Sequence, residues 1–285
     1  MATESLPVPF LVTVVVVTGL LVGSFLNVVI YRLPVQLQRD WQRDARSYLG
    51  LDESARPAGR FNLLVPASRC PGCETPLRPW HNIPVLSYLA LKGRCGHCSV
   101  RIPAQYPLVE IASAVLSVAV ISQFGWTPTA ALLLVFTWAL LALAVIDWNT
   151  QLLPDVITLP LLWLGLLANT QALLVPLADA VIGAAAGYLL LWCIYWLFRL
   201  VTGKEGMGYG DFKLLAALGA WLGWQMLPLI IILASFAGAI IGLAGMILQR
   251  RDRQLTIAFG PYLAIAGWIA LIWGQDIVAA YLGQL

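Results

Sequence analysis

The sequence predicts an all-α polytopic membrane protein with about eight transmembrane helices and one small polar domain inserted between the first two. Three observations predict this class. Of 285 residues, 60% are hydrophobic and 11% are charged, whereas soluble domains have about a quarter charged residues. Long apolar runs recur along the chain, and the charged residues gather in a few places between them.

Eight apolar runs have lengths near the ~17 to 25 residues that cross a bilayer as a helix. The sixth is short and rich in Gly. The first is preceded by a segment without Lys or Arg, and no small-residue cleavage pattern follows it, so we expect it to remain as an anchor rather than to act as a secretory signal. The runs cover residues 10–31, 106–123, 128–146, 156–175, 179–200, 212–226, 228–248 and 261–282.

The basic residues indicate the orientation. All 17 Lys and Arg residues lie in three groups, Arg32 to Arg101, Arg199 to Lys213, and Arg250 to Arg253. With eight crossings, these groups belong to the connections after helices one, five and seven, which all lie on one side. Basic loops mark the cytoplasmic face, so both termini are predicted outside the cytoplasm.

Composition divides the chain into three predicted domains. Residues 1–33 form the first transmembrane helix, residues 34–105 a polar cytoplasmic domain, and residues 106–285 a seven-helix membrane domain. Glycines spaced four apart, such as Gly19/Gly23 and Gly183/Gly187, predict close helix packing in lipid.

Two Cys-x2-Cys pairs in the polar domain predict a structural zinc site. They are Cys70 with Cys73, and Cys95 with Cys98. Each pair can form a knuckle that presents two thiolates, and two knuckles complete a closed tetrahedral site. Disulfides are the alternative, but they are disfavoured in the reducing cytoplasm. His97 lies inside the second knuckle and is expected to face solvent.

Three carboxylates differ from the solvated acidic residues of the loops. Asp147 ends the third apolar run, Asp155 follows Leu153-Pro154, and Asp211 leads into the sixth run. All three belong to the predicted cytoplasmic side. Ionisable residues at membrane depth are costly and suggest a functional site with a partner.

Asp147 and Asp211 end or begin separate helices, so tertiary packing can bring them together. Two carboxylates in one site do not both ionise easily, which provides a base for water and an acid for a leaving amine. The local alternative for Asp211, and more strongly for Asp155, is a helix N-cap. Both histidines of the chain lie in the polar domain, which argues against a Ser-His or Cys-His enzyme.

The glycines before Asp211 resemble a phosphate-binding loop only superficially, because no strand precedes them and no Gly-Lys-Ser/Thr follows. Gly206, Gly208 and Gly210 instead permit unusual backbone turns and leave room for an extended peptide beside Asp211.

Four motifs, in this order, make the chain resemble the bacterial type IV prepilin peptidases, a family of Gly-x-Gly-Asp aspartyl proteases in the membrane. They are the stretch from Gly23 to Pro34, the two cysteine pairs with the stretch from Asn82 to Tyr88 between them, Asp147 with Leu153-Pro154-Asp155, and the stretch from Gly208 to Leu214.

The resemblance implies a specific activity. Family members cleave the basic leader of type IV prepilins and of type II secretion pseudopilins, after a Gly at the cytoplasmic face of the inner membrane. Many then methylate the new N-terminus with S-adenosylmethionine. Asp147 and Asp211 match the catalytic aspartates. Gly208, Gly210, Lys213 and Asp155 match motif positions that position substrate or support the site.

Members that only cleave tend to lack the cysteine-bearing segment, so the resemblance favours a bifunctional enzyme. A prepilin peptidase without methyltransferase activity is the alternative. Methyl-donor residues are not identified, because no Gly-x-Gly-x-x-Gly follows a strand. The expected partners are prepilins, pseudopilins and the lipid bilayer, with no nucleic acid; the sequence does not determine the oligomeric state.

Two functions of other classes compete with this interpretation. A transporter would use membrane aspartates as an ion relay, but it predicts carboxylates near the middle of the membrane rather than at cytoplasmic helix ends. A zinc-bearing membrane scaffold without catalysis has no use for a carboxylate pair.

Overall fold

Helices form the regular core of the molecule. The structure is a computed structural model that describes residues 7–51, 61–70, 72–77, 79–204, 206–249 and 258–283. Short 3-10 turns cover Pro79–Asn82 and Trp224–Met226. Within the described residues the α-helices are α1 Val8–Tyr48, α2 Leu86–Ala90, α3 Gln105–Phe124, α4 Pro128–Thr150, α5 Asp155–Asn169, α6 Leu177–Thr202, α7 Tyr209–Leu222, α8 Leu227–Gln249 and α9 Gly260–Leu282.

Every predicted apolar run overlaps a helix, but α5 ends at Asn169 rather than at residue 175, and α7 covers Tyr209–Leu222 rather than 212–226. Six of them in the described ranges, α1, α3, α4, α6, α8 and α9, are long and apolar enough to cross a membrane. Helices α5 and α7 have 15 and 14 residues, or about 22 Å at ~1.5 Å per residue, less than the ~30 Å hydrocarbon core. The all-α membrane class is confirmed, and the count of about eight crossings stays a prediction.

Large apolar side chains cover the outside of the helices. Trp163 on α5, Leu197 on α6 and Phe236 on α8 are each more than 60% exposed. Single exposed apolar residues are ordinary in soluble proteins, but extended apolar surfaces are not. Together with the six spans, these surfaces describe a multi-pass membrane protein.

Helix α1 extends beyond the predicted end of the first apolar run. It continues through Pro34 to Tyr48, because a helix that leaves the bilayer can go on in water when its residues are polar helix formers. Arg32 donates hydrogen bonds to the carbonyls of Asn62 at 2.9 Å and Pro66 at 2.6 Å. The polar segment is thereby attached to the helix near the end of its apolar part.

Contacts divide the chain into two compact units, residues 1–138 and 139–285. In the first, α1 packs on α3. A Cβ added to Gly19 would lie 2.6 Å from Ala114 Cα, and one added to Gly23 would lie 2.6 Å from Glu110 Cα. These glycines are therefore a close-packing face, as predicted.

In the second unit α7 is the central helix. It packs against α5, α6 and α9, and Asp211, Phe212 and every residue of 214–222 are buried. Gly183 of α6 and Gly219 of α7 meet backbone to backbone. A helix surrounded by protein does not need the length of one that faces lipid, which accounts for the brevity of α7.

The predicted domain boundaries, after residues 33 and 105, rest on charge and composition rather than on contacts. They stay predictions. The basic group from Arg250 to Arg253 lies outside the described residues.

Candidate active site and cysteine cluster

The last turn of α4 holds Asp147 at one end of the second unit. Its side chain is only 5% exposed. Oδ2 accepts a hydrogen bond at 3.0 Å from the backbone N–H of Gly260, the first residue of α9. The carboxylate is thus held by the start of a helix that is 113 residues distant in sequence.

Asp211 is the third residue of α7 and is 7% exposed. Gly208 occupies the N-cap position in an extended conformation, and its carbonyl accepts the N–H of Asp211 at 3.2 Å. The Asp211 side chain makes no capping hydrogen bond, so the N-cap alternative is wrong for this residue. Its Oδ1 is buried and has no hydrogen-bond partner among the described residues.

The second unit brings these two carboxylates to the same place. Helix α4 ends where α5, α7 and α9 begin, and the side chain of Leu153 fills the space between them. A Cβ on Gly210 would lie 2.7 Å from Leu153 Cβ, and one on Gly260 would lie 3.0 Å from Leu153 Cδ1. Asp147 contacts Gly260 and Asp211 directly follows Gly210, so both carboxylates border Leu153, near enough for the charge of one to act on the other.

The two glycines of the Gly-x-Gly-Asp stretch have different surroundings. Gly210 lies against Leu153, so any side chain there would collide with it. A Cβ on Gly208 would meet nothing nearer than Asp211 Oδ2 at 3.9 Å. Gly208 therefore leaves open space beside the Asp211 carboxylate.

Asp155 and Lys213 form an ion pair between α5 and α7. Lys213 Nζ lies 2.8 Å from Oδ1 and 2.7 Å from Oδ2 of Asp155. Asp155 is the first residue of α5, Pro154 is its N-cap, and no side-chain cap bond forms. The predicted N-cap role of Asp155 is wrong, because the carboxylate turns to the lysine ammonium of a neighbouring helix.

Gly260 was not among the residues predicted from the sequence. The available signal was Phe259-Gly-Pro261 directly before the last apolar run, since Pro is common at the first positions of a helix. That signal predicts where a helix starts, but it does not predict which carboxylate the helix start will contact.

The four predicted zinc ligands come together in the first unit. The Sγ atoms of Cys70, Cys73, Cys95 and Cys98 all lie within 4.8 Å of one another, and all four are free thiols. Each cysteine pair lies in a short loop closed by an isolated antiparallel β-bridge, Arg69–Pro76 for the first pair and Arg94–Arg101 for the second. His97 is exposed, as predicted. The arrangement fits a tetrahedral metal ion held by two knuckles.

The surroundings of the thiols make the pKa values unequal. Hydrogen bonding by Thr75 lowers the pKa of Cys73 to about 6, and the backbone of Cys98 lowers the pKa of Cys95. A hydrogen bond with the backbone of Val100 lowers the pKa of Cys98. Desolvation and the other three thiols outweigh that effect and raise the Cys98 pKa to about 12. The lowered pKa of Cys73 favours its thiolate, the form that binds metals.

Fold and site together define a class: a multi-pass membrane protein with two neighbouring carboxylates at helix ends of the second unit and a four-cysteine cluster in the polar segment of the first unit. Known sequences match this description. The profile of the type IV leader peptidase family matches residues 134–243, and that of the bacterial peptidase A24 N-terminal domain matches residues 17–124. No solved structure matches the chain.

Relatives match over nearly the whole chain. A protein of Stutzerimonas stutzeri is 57% identical over 93% of this chain and 92% of its own length. One of Pseudomonas aeruginosa is 56% identical over 94% and 92%, and one of Burkholderia pseudomallei strain K96243 is 48% identical over 96% and 89%. Each is called prepilin leader peptidase/N-methyltransferase. The chain belongs to the type IV leader peptidase family.

Proposed function

We propose that the chain cleaves the leader peptide of type IV prepilins and type II secretion pseudopilins after a Gly, and then methylates the new N-terminal residue with S-adenosylmethionine. The observation that supports the peptidase proposal is that Asp147, near the end of α4, and Asp211, near the start of α7, both border Leu153 in a member of this family. The methyltransferase part comes from the names of the relatives.

The two carboxylates can divide the work of hydrolysis. One takes a proton from water while the water oxygen bonds to the carbonyl carbon of the scissile peptide. The other gives its proton to the leaving nitrogen as the C–N bond breaks. One proton enters the pair and one leaves it, so the pair ends with the same total charge.

The open space at Gly208 is where we place the substrate backbone. An extended peptide beside Gly208 would pass close to Asp211 without meeting a Cβ. Gly210 serves a different purpose, since it lets α7 approach Leu153. Lys213 and Asp155 support the site by joining the starts of α5 and α7.

We propose zinc as the ion of the cysteine cluster, held by Cys70, Cys73, Cys95 and Cys98. Four sulfur donors within 4.8 Å of one another suit zinc and would leave no open position, so the ion would stabilise the segment rather than take part in hydrolysis. S-adenosylmethionine supplies the methyl group; its binding residues in this chain are not assigned.

We propose an inner-membrane location with the aspartates and the cysteine cluster facing the cytoplasm and both termini in the periplasm. The support is the confinement of Lys and Arg to alternate connections. A leader cut at the cytoplasmic face requires this orientation.

The test is incubation of the purified enzyme in lipid with a prepilin and S-adenosylmethionine, with mass analysis of the product N-terminus. Cleavage without added methyl mass would support the peptidase-only alternative. No cleavage by folded enzyme would contradict the proposal.

Variants Asp147→Asn, Asp211→Asn and the double variant should each lose nearly all cleavage, because neither carboxylate alone can be both base and acid. Groups that act as a unit are not additive, so the double variant should resemble the single ones. Methylation of a synthetic, already processed N-terminus is the control and should persist. Substantial turnover by either single variant at equal folded level would contradict the pair.

A further inference from the structure

We propose that Gly260 is a positioning residue of the peptidase site, whose backbone N–H keeps Asp147 in the ionised, water-activating role and leaves Asp211 as the proton donor. This rests on the proposed function and deepens it, since it divides the roles of the two aspartates and adds a residue on α9.

The donor comes from the start of a long helix. Gly260 is the first of 23 residues in α9, and the first N–H groups of a helix have no partner within it. They also carry the positive end of the helix dipole. An N–H at 3.0 Å from Oδ2 of a buried carboxylate stabilises the ionised form more than the protonated form.

Asp211 has a different set of neighbours. Its Oδ2 lies beside Gly208, whereas its buried Oδ1 has no hydrogen-bond partner in the described part of the chain. When two nearby carboxylates share one proton, the proton resides on the one whose charge is less well stabilised. Oδ1 of Asp211 can carry that proton. No acceptor among the described residues forms a hydrogen bond with this oxygen, so the proton stays available for the leaving nitrogen.

Position 260 also has no room for a side chain. A Cβ there would lie 2.6 Å from Asp147 Oδ2, 3.1 Å from Asp147 Cγ and 3.0 Å from Leu153 Cδ1. Two of these atoms belong to the carboxylate itself, so any other residue must displace Asp147. Glycine is required here by the close approach of a backbone to a carboxylate, not by its backbone angles.

The test is Gly260→Ala in the full-length enzyme in lipid, measured on prepilin. Displacing a catalytic group by about 1 Å can cost ~100-fold, so we expect a kcat decrease of that order with little change in KM. Among the described residues, Asp211 of α7 is the charged group whose charge acts on Asp147. With a weakened donor the ionised form of Asp147 needs a higher pH, so the acid limb of the pH–rate profile should move upward.

Gly267→Ala is the matched control on the same helix. Its Cβ would overlap the Leu218 side chain, away from both aspartates, so it measures the packing cost alone. We expect lower thermal stability, with kcat within about threefold of the parent and an unmoved acid limb, since the atoms that a Cβ at position 267 meets belong to Leu218 and not to Asp147 or Leu153. Methyl transfer to a processed peptide should persist in both variants.

Equal effects of the two alanine variants, or a Gly260→Ala enzyme with the parental kcat and pH profile, would overturn the inference. The proposed function would survive that result, because its own test is the inactivity of Asp147→Asn. If Gly260→Ala fails to fold, a second comparison keeps the test open. The double variant Leu153→Ala/Gly260→Ala, which removes the overlap with Leu153, is compared with the single variant Leu153→Ala. A kcat loss and an acid-limb shift confined to the double variant support the inference, and their absence overturns it.

Discussion

Asp147 and Asp211 are similarly buried, and their hydrogen bonds distinguish them. One receives an N–H from a distant helix start, while the other keeps an oxygen without a partner in the described residues. Near them, the Asp155 carboxylate is 53% exposed and the Lys213 side chain is 28% exposed. The pair lies at the edge of the site, where water weakens its attraction.

For Asp155→Asn and Lys213→Met we expect similar decreases in cleavage, each below about tenfold, because half-exposed ion pairs contribute roughly 1 kcal/mol or less. The double variant should be no worse than either single one, since each already breaks the same pair. The measurement is kcat/KM on prepilin.

Asp40→Asn is the matched control, because Asp40 also forms an ion pair, with Arg43, but on the exposed surface of α1. It should leave kcat/KM unchanged. A double variant of Asp155 and Lys213 showing the product of the single effects would contradict a shared positioning role.

At the scale of helices, the second unit is organised around a helix that is short but buried. Helix α7 is short but nearly all buried, and it meets α6 through Gly183, Gly187 and Gly219. Contacts of this kind hold α7, the helix that carries Asp211, closely against α6. Close backbone approach therefore serves the site as well as the fold.

Gly219→Ala should lower stability by about 1 to 3 kcal/mol, the range for overpacking a close contact, because its Cβ would meet the Gly183 backbone. Gly245→Ala on α8 is the control, since nothing lies within 4 Å of its Cβ, and alanine is the better helix former. Thermal unfolding in detergent measures both. Equal melting temperatures would contradict the proposed packing.

At the scale of the whole molecule, the cysteine cluster belongs to the first compact unit and the aspartates to the second. The two family profiles divide in a similar way, covering residues 17–124 and 134–243. Loss of a metal ion from the cysteine cluster should therefore lower the stability of the first unit more than it lowers the rate of leader cleavage.

The protein purified without chelators should contain one zinc per chain, and Cys70→Ser/Cys73→Ser should contain none, because two ligands of a closed four-thiolate site are lost. Metal analysis and limited proteolysis of the cysteine segment measure this. Cys193→Ser, which changes an exposed thiol on α6, should keep the zinc. Metal-free parental protein would contradict the zinc proposal.

The membrane orientation is tested by reporter fusions after Gln123 at the end of α3 and after Thr202 at the end of α6. With eight crossings these positions lie on opposite sides, because three helices separate them. Opposite signals are expected, with the Thr202 fusion cytoplasmic. If both fusions report the same side, then α5, the one short helix between them, does not cross.

The sequence by itself determined the helical membrane class, because lipid demands long apolar helices and their composition is visible in one dimension. It also predicted the four-cysteine cluster, since each knuckle is a local motif in which Cys70 and Cys73, or Cys95 and Cys98, are close in the chain. It predicted that Asp147 and Asp211 lie near helix ends, as the structure shows.

The tertiary structure decided what those ends contact. Cap roles for Asp155 and Asp211 are reasonable from local sequence, but a carboxylate at a helix start can turn to another helix, as Asp155 does to Lys213. The contact between Gly260 and Asp147 joins residues 113 positions apart. No local pattern encodes such a contact, because it depends on how α4, α7 and α9 pack around Leu153.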